Sequence, residues 1–149
     1  MVQNKRTALI TGVVLLLLTA ACGPSLVIQG VDYAQPVESV LIPGDDQTVH
    51  DQRYAIRFSI APLLAEEGVD SVDEIRLIRN SSGYYFVTAA GFTNVYVMNA
   101  AESELQLQAT IEISGSGLGN PAFNQRGDHI ELVDLASGNV YRMNEEELL

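Results

Sequence analysis

The chain has two histidines and one cysteine, so imidazole and thiol chemistry have few places to sit. His50 stands among Asp45, Asp46 and Asp51. Imidazole nitrogen with carboxylate oxygen is a donor set for a divalent metal, and a carboxylate beside an imidazole also orients a general base. His50 and Asp51 are therefore the candidate metal residues, and a small metal-dependent hydrolase working from the loop Asp45 to Asp51 is one function they permit. The competing reading is a solvated acidic loop, because no second histidine lies near in sequence. His129 and Glu131, two residues apart, share one face of an extended strand. That is half of a metal site or an ordinary polar face.

Other chemistries fail on spacing. Gly115-Ser116-Gly117-Leu118-Gly119 follows a strand as a dinucleotide loop would, but Asn120-Pro121 leads into another strand where phosphate binding needs a helix. No Gly-X-Ser-X-Gly element occurs, and no serine–histidine–acid order or cysteine nucleophile is apparent. The sequence thus assigns no catalytic residue, no cofactor and no activity of its own. Tyr84-Tyr85-Phe86 reads either as a recognition surface or as cross-strand packing. Arg57, Arg76 and Arg79 read as surface charge paired with the abundant carboxylates.

The elements that must position these residues are mostly strands. Val37 to Ile42 is a strand closed by Pro43-Gly44, and Asp45 to Gln52 a polar loop. Arg53 to Ala61 alternates, with Tyr54, Ile56, Phe58 and Ile60 on one face, as a half-buried strand does. Pro62 to Gly68 has an early proline, good helix formers and a closing glycine, which predicts one short helix. Asp70 to Asp73 fits a further single turn. A meander follows: Glu74–Asn80, Tyr84–Ala90, Val95–Asn99 and Leu105–Ser114. In the last of these Leu105, Leu107, Ala109, Ile111 and Ile113 fall on one face and Gln106, Gln108, Thr110, Glu112 and Ser114 on the other. Such alternation belongs to an antiparallel sheet with one face covered. Ala122–Gln125, His129–Leu135 and Val140–Asn144 are the final strands, and Glu145 to Leu149 reads as a frayed acidic end.

The amino-terminal segment has a different logic. Lys5 and Arg6 precede an uncharged, aliphatic run from Ala8 to Ala21. A basic head, an apolar stretch of about 7–15 residues and small residues before a cut compose a secretory signal. The run is shorter than the about 20 apolar residues of a membrane span, and Gly23-Pro24 ends it. Leu18-Thr19-Ala20-Ala21-Cys22 resembles the lipobox of bacterial lipoproteins. That resemblance, confined to the first 22 residues, implies cleavage before Cys22 and a diacylglyceryl group on its sulfur. Together with the strand pattern it divides the chain into signal peptide (1–21), lipidated tether (22–36) and one β-rich domain (37–149). Thr19 stands where the family usually has leucine. Gly23 in place of aspartate implies, by the same resemblance to Gram-negative lipoproteins, the outer membrane, facing the periplasm. Each buried methylene contributes about 0.8 kcal/mol, so two or three acyl chains hold the domain at the membrane almost irreversibly.

A repeat runs through the carboxyl-terminal half. Asn94-Val95-Tyr96-Val97-Met98-Asn99 returns as Asn139-Val140-Tyr141-Arg142-Met143-Asn144, 45 residues later. A period of about 40–50 residues is the size of a propeller blade, and Ile111 to Asn144 resembles blades of lactonase-type and NHL-type β-propellers. A closed ring needs about 4–8 blades, more than the 128 residues left after removing 21 from 149 can supply. The expected fold is mainly β: antiparallel blade-like meander sheets or a small sandwich with one short helix, not a closed single-chain propeller. A homo-oligomeric assembly that completes such a ring is the remaining alternative.

Composition bounds the partners. Without Lys5 and Arg6 the chain keeps six of its eight basic residues, all arginine, against nineteen acidic ones, a formal charge of −13. That surface repels phosphate backbones, so no nucleic acid partner is expected. With Cys22 acylated no disulfide forms, and the core alone must stabilise the domain. The reading this favours is a lipid-anchored envelope binding or scaffold module that touches the membrane through Cys22 and docks on another envelope protein.

Overall fold

The computed structural model describes residues 37–149. The signal peptide 1–21, Cys22 and the tether 22–36 with its apolar Ser25–Ile28 run lie outside the described residues. Among the described residues the chain forms strands β1 (Ser39–Leu41), β2 (Thr48–Asp51) and β3 (Ile56–Ser59), helix α1 (Ala61–Glu67), and strands β4 (Ile75–Arg79), β5 (Tyr85–Thr88), β6 (Asn94–Ala101), β7 (Glu104–Glu112), β8 (Pro121–Arg126), β9 (His129–Asp134) and β10 (Asn139–Met143). Among the described residues the fold is mainly β, with antiparallel sheets, one short helix and no closed barrel.

Three layers result. The middle one is a five-stranded sheet in the order β1-β4-β5-β6-β7. One face of it packs on the three-stranded sheet β10-β9-β8, where Ile78, Phe86, Val95, Val97 and Ile111 meet Phe123, Ile130, Leu132 and Met143. The other face is covered by the β2–β3 hairpin and α1, where Leu77, Tyr85, Val87, Tyr96 and Met98 meet Val49, Ile60, Leu63 and Leu64. Because the middle sheet is covered on both faces, β5 is buried at every position. Each large apolar side chain removed from water contributes about 1.5–3 kcal/mol, and the two interfaces gather most of them. The two copies of the hexapeptide lie in β6 and β10, so the repeat is a pair of meanders packed face to face.

Several sequence expectations change. Thr48–Asp51 is a strand, not part of a loop, and it pairs with β3 from Thr48↔Ser59 to Asp51↔Ile56. The run expected as one strand from Arg53 is shortened by a turn at residues 52–55. Ala55 sits there at φ 53°, and the Asp51 carboxylate accepts hydrogen bonds from the Arg53 and Tyr54 amides. Asp70–Asp73 is an irregular connection, not a helical turn. The carboxyl end is not frayed. Leu148 bridges Met143, the Leu149 amide donates to the Arg142 carbonyl, and Asn144 Oδ1 accepts from the Glu146 and Glu147 amides.

Strand β7 departs from its simple alternation. Val97 pairs with Ala109 but Met98 pairs with Leu107, so Gln108 is an extra residue and forms a bulge. Beyond it the side-chain parity is reversed. Ala109, Ile111 and Ile113 face the sandwich interface, while Leu105 packs against the helix-side core. Leu107, expected to line one face with the others, is 53% exposed.

The glycine loop is a clasp. The Gly91 amide donates to the Leu118 carbonyl and the Leu118 amide to the Phe92 carbonyl. Gly117 has φ +80°, and a Cβ there would lie 2.8 Å from the Gly91 carbonyl oxygen. The close approach of the two turns requires glycine at this position.

Arg76 is not a surface charge. Its side chain is 16% exposed and held by Glu38 and Glu74. Burial works against its charge, and the bonds to Glu74 and Glu38 outweigh that, raising its pKa. Glu38 also accepts a hydrogen bond from the Phe123 amide at 2.7 Å, joining β1 and β4 of one sheet to β8 of the other.

Candidate functional site: an apolar groove beside the edge strand

The reversed parity of β7 opens a groove. Phe58 and Ser59 of β3, Pro62, Leu63 and Glu66 at α1, Met98 of β6, and Leu105 and Leu107 of β7 line a concavity of about 260 Å³. Small-molecule sites usually occupy about 300–1,000 Å³ and converge several polar groups. This groove is smaller, is predominantly apolar, and has Glu66 as its one charged lining residue.

Helix α1 is fixed as one wall by local chemistry and by one carboxylate. Pro62 lies in its first turn, and Gly68 at φ 70° ends it with its amide donating to the Leu64 carbonyl. Glu67, next to the groove residue Glu66, accepts five hydrogen bonds: from the amide and hydroxyl of Thr93, the amide and side-chain nitrogen of Asn94, and the Tyr96 hydroxyl. Burial disfavours the Glu67 charge, yet these donors prevail and hold its carboxyl below the ordinary range. Burial first, then the bond to Glu67, pushes the Tyr96 hydroxyl well above its usual value. The helix is thereby tied to the turn before β6, which also presents Met98 to the groove.

The residues singled out for metal chemistry are dispersed. His50 and Asp51 are neighbours on β2 and point to opposite faces, His50 exposed and Asp51 buried at 2% exposure. His50 lies across from Arg57 in the β2–β3 register, a cation where a metal would need a third ligand. Asp46 caps the Thr48 amide and pairs with Arg57. Asp51 turns inward to hold its own hairpin. His129 and Glu131 do share the outer face of β9, but Glu131 sits between Arg126 and Arg142, each at 3.7 Å. Among the described residues no group of three or more histidine, cysteine, aspartate or glutamate side chains is placed to hold a metal. Tyr85 and Phe86 are buried in the two interfaces rather than on a surface.

Sequence reasoning did not find the groove. Its signal is the bulge, and Gln108 is indistinguishable from its polar neighbours Gln106 and Thr110 until the pairing is seen. No helix among the described residues is long and apolar enough to cross a membrane. No protein-family profile, curated protein or solved structure matches the chain.

Proposed function

We propose that the chain is a lipid-anchored binding or scaffold module of the bacterial envelope, held at the outer membrane through acylated Cys22 and docking on another envelope protein through the groove between α1 and β7. The observation that carries this reading is an apolar groove left open beside the half-exposed Leu107. A half-exposed leucine in a concave apolar site is the kind of surface that a protein partner covers. The lipobox-like segment supports the anchoring half of the reading, and the dispersal of His50, Asp51, His129 and Glu131 supports binding over hydrolysis.

Three measurements test it. Mass spectrometry of the mature protein's first residue should find diacylglyceryl-modified Cys22; an unmodified Cys22 or an intact Met1 overturns the anchor. Pull-down of the lipidated protein from solubilised envelopes should recover a stoichiometric partner, and Leu107→Asp should lose it. Equal recovery by both chains removes the groove from the reading. Light scattering of the full chain in detergent separates this from a homo-oligomeric ring, which predicts a defined multimer.

A further inference from the structure

The groove shares a strand with an open sheet edge. Leu105 and Leu107 belong to β7, the outermost strand of the five-stranded sheet, whose far side no other strand pairs among the described residues. With nine residues it is the longest strand among the described residues, about 30 Å at roughly 3.4 Å per residue. Edge strands offer a row of donors and acceptors that an extended chain can satisfy, and proteins usually guard them with lysine, proline or a bulge. Strand β7 has neither lysine nor proline. Its bulge at Gln108 divides the edge, leaving Glu104–Leu107 regular beside the groove.

The charge on this strand and on the turn before it has one sign. Between Arg79 and Arg126 the chain has no lysine, arginine or histidine, while Glu102, Glu104 and Glu112 flank β7. Glu66 adds a carboxylate at the groove. A second copy of the chain is a poor occupant, since β7 against β7 would bring these carboxylates together on a protein of net charge −11. We propose that β7 is a strand-addition site for an extended polypeptide whose apolar residues alternate with lysine or arginine. Side chains of an added strand alternate between faces. Those on the α1 side enter the groove against Met98, Leu105 and Leu107, and the cations, on the opposite face, meet Glu104 and the turn residue Glu102. Main-chain pairing supplies affinity and the groove supplies selection.

This inference rests on the groove being the docking surface. Its test uses the full chain in detergent with a ten-residue peptide alternating valine and lysine, compared with a valine–glutamate counterpart and a version N-methylated at every second amide. The lysine peptide should bind at least tenfold tighter than the glutamate peptide, and N-methylation should weaken it at least tenfold. Binding should slow amide exchange in Glu104–Leu107. Leu107→Lys, at an exposed position that leaves the core intact, should lower affinity at least tenfold while thermal unfolding stays unchanged. Equal binding of both charges, indifference to N-methylation, or slowed exchange elsewhere overturns strand addition. So does a dimer that Leu107→Lys dissociates, because the occupant is then a second copy. If the lysine peptide fails while Leu107→Asp still abolishes envelope-partner capture, only the partner chemistry is wrong. If capture survives Leu107→Asp, the docking reading itself falls.

Discussion

Two near-identical hexapeptides, Asn94–Asn99 and Asn139–Asn144, end in different environments. Each forms the second strand of an antiparallel hairpin, β5–β6 in one case and β9–β10 in the other. In both, the tyrosine and methionine share a face that points inward. In β6 that face lies under α1, and in β10 it lies on the sandwich interface. The opposite face separates them. Val95 is fully buried, while Val140 is 52% exposed, because β6 is covered on both sides and β10 on one. Their restraints differ as well. Asn94 is gripped by Glu67 of a distant helix. The β9–β10 turn is held from within by Asp134, which accepts from the Ser137 hydroxyl and the Asn120 and Ala136 amides. A local motif therefore specifies a hairpin and its inward pair, and the layers around it decide everything else.

The largest expected contrast is at the tyrosines. Tyr96→Ala should cost about 3–5 kcal/mol, as for other buried aromatics, whereas Tyr141→Ala, at a partly exposed site, should cost about 1 kcal/mol. Urea midpoints of the two variants measure the difference, and equal losses would erase the distinction between the copies. Next in size are the two carboxylates. Glu67→Gln should cost about 1–3 kcal/mol by leaving buried donors poorly matched. Both groups have depressed values in the folded state, so each stabilises above its unfolded value and loses that contribution as pH falls through the folded one. For Glu67 the loss begins below its ordinary value of 4.5. For Asp134, hydrogen-bonded first by Ser137 and then by the Asn120 amide, it runs from 3.8 down to about 2. Unfolding followed against pH should show Glu67→Gln flattening the decline that starts near 4.5, and Asp134→Asn flattening the decline nearer 2.

Smaller effects separate the valines. Val95→Thr should cost about 1–2 kcal/mol by burying a hydroxyl, and Val140→Thr should stay within about 0.5 kcal/mol. Thermal melts distinguish them. Smallest is a turn residue. The second hairpin places Gly138 at φ 76°, but the turn after β6 places Glu102 at φ 52°. Glu102→Gly should therefore gain up to about 1 kcal/mol in the same melts, since left-handed backbone penalises a Cβ.

Much of the sandwich is legible along the chain because period-two alternation survives in β3, β8 and β9, and because Pro62 and Gly68 bracket the helix. The hairpin at β2 escapes detection because Ala55 occupies a left-handed position without the glycine that announces a turn; Asp51, as a side-chain cap, is the signal that was available. Arg76 reads as surface because its partner Glu38 is 38 residues away. The groove is illegible for a related reason. An extra residue in β7 exchanges inside for outside without altering composition, so Leu107 reads as core until β6 is laid beside it. The reading of Cys22 rests on local spacing alone, since the residue lies outside the described residues.

Glu38 has a mechanical consequence. Strand β1 pairs with β4 at only three positions, and the chain ahead of it is further tied where Arg53 donates to the Val37 carbonyl. Any tension arriving from the amino-terminal side reaches these attachments first. The Glu38 carboxylate spreads that load, one oxygen to Arg76 of the middle layer and the other to the Phe123 amide of the outer one. The residue acts as a cleat: a pull that would peel a three-residue strand is shared between both sheets.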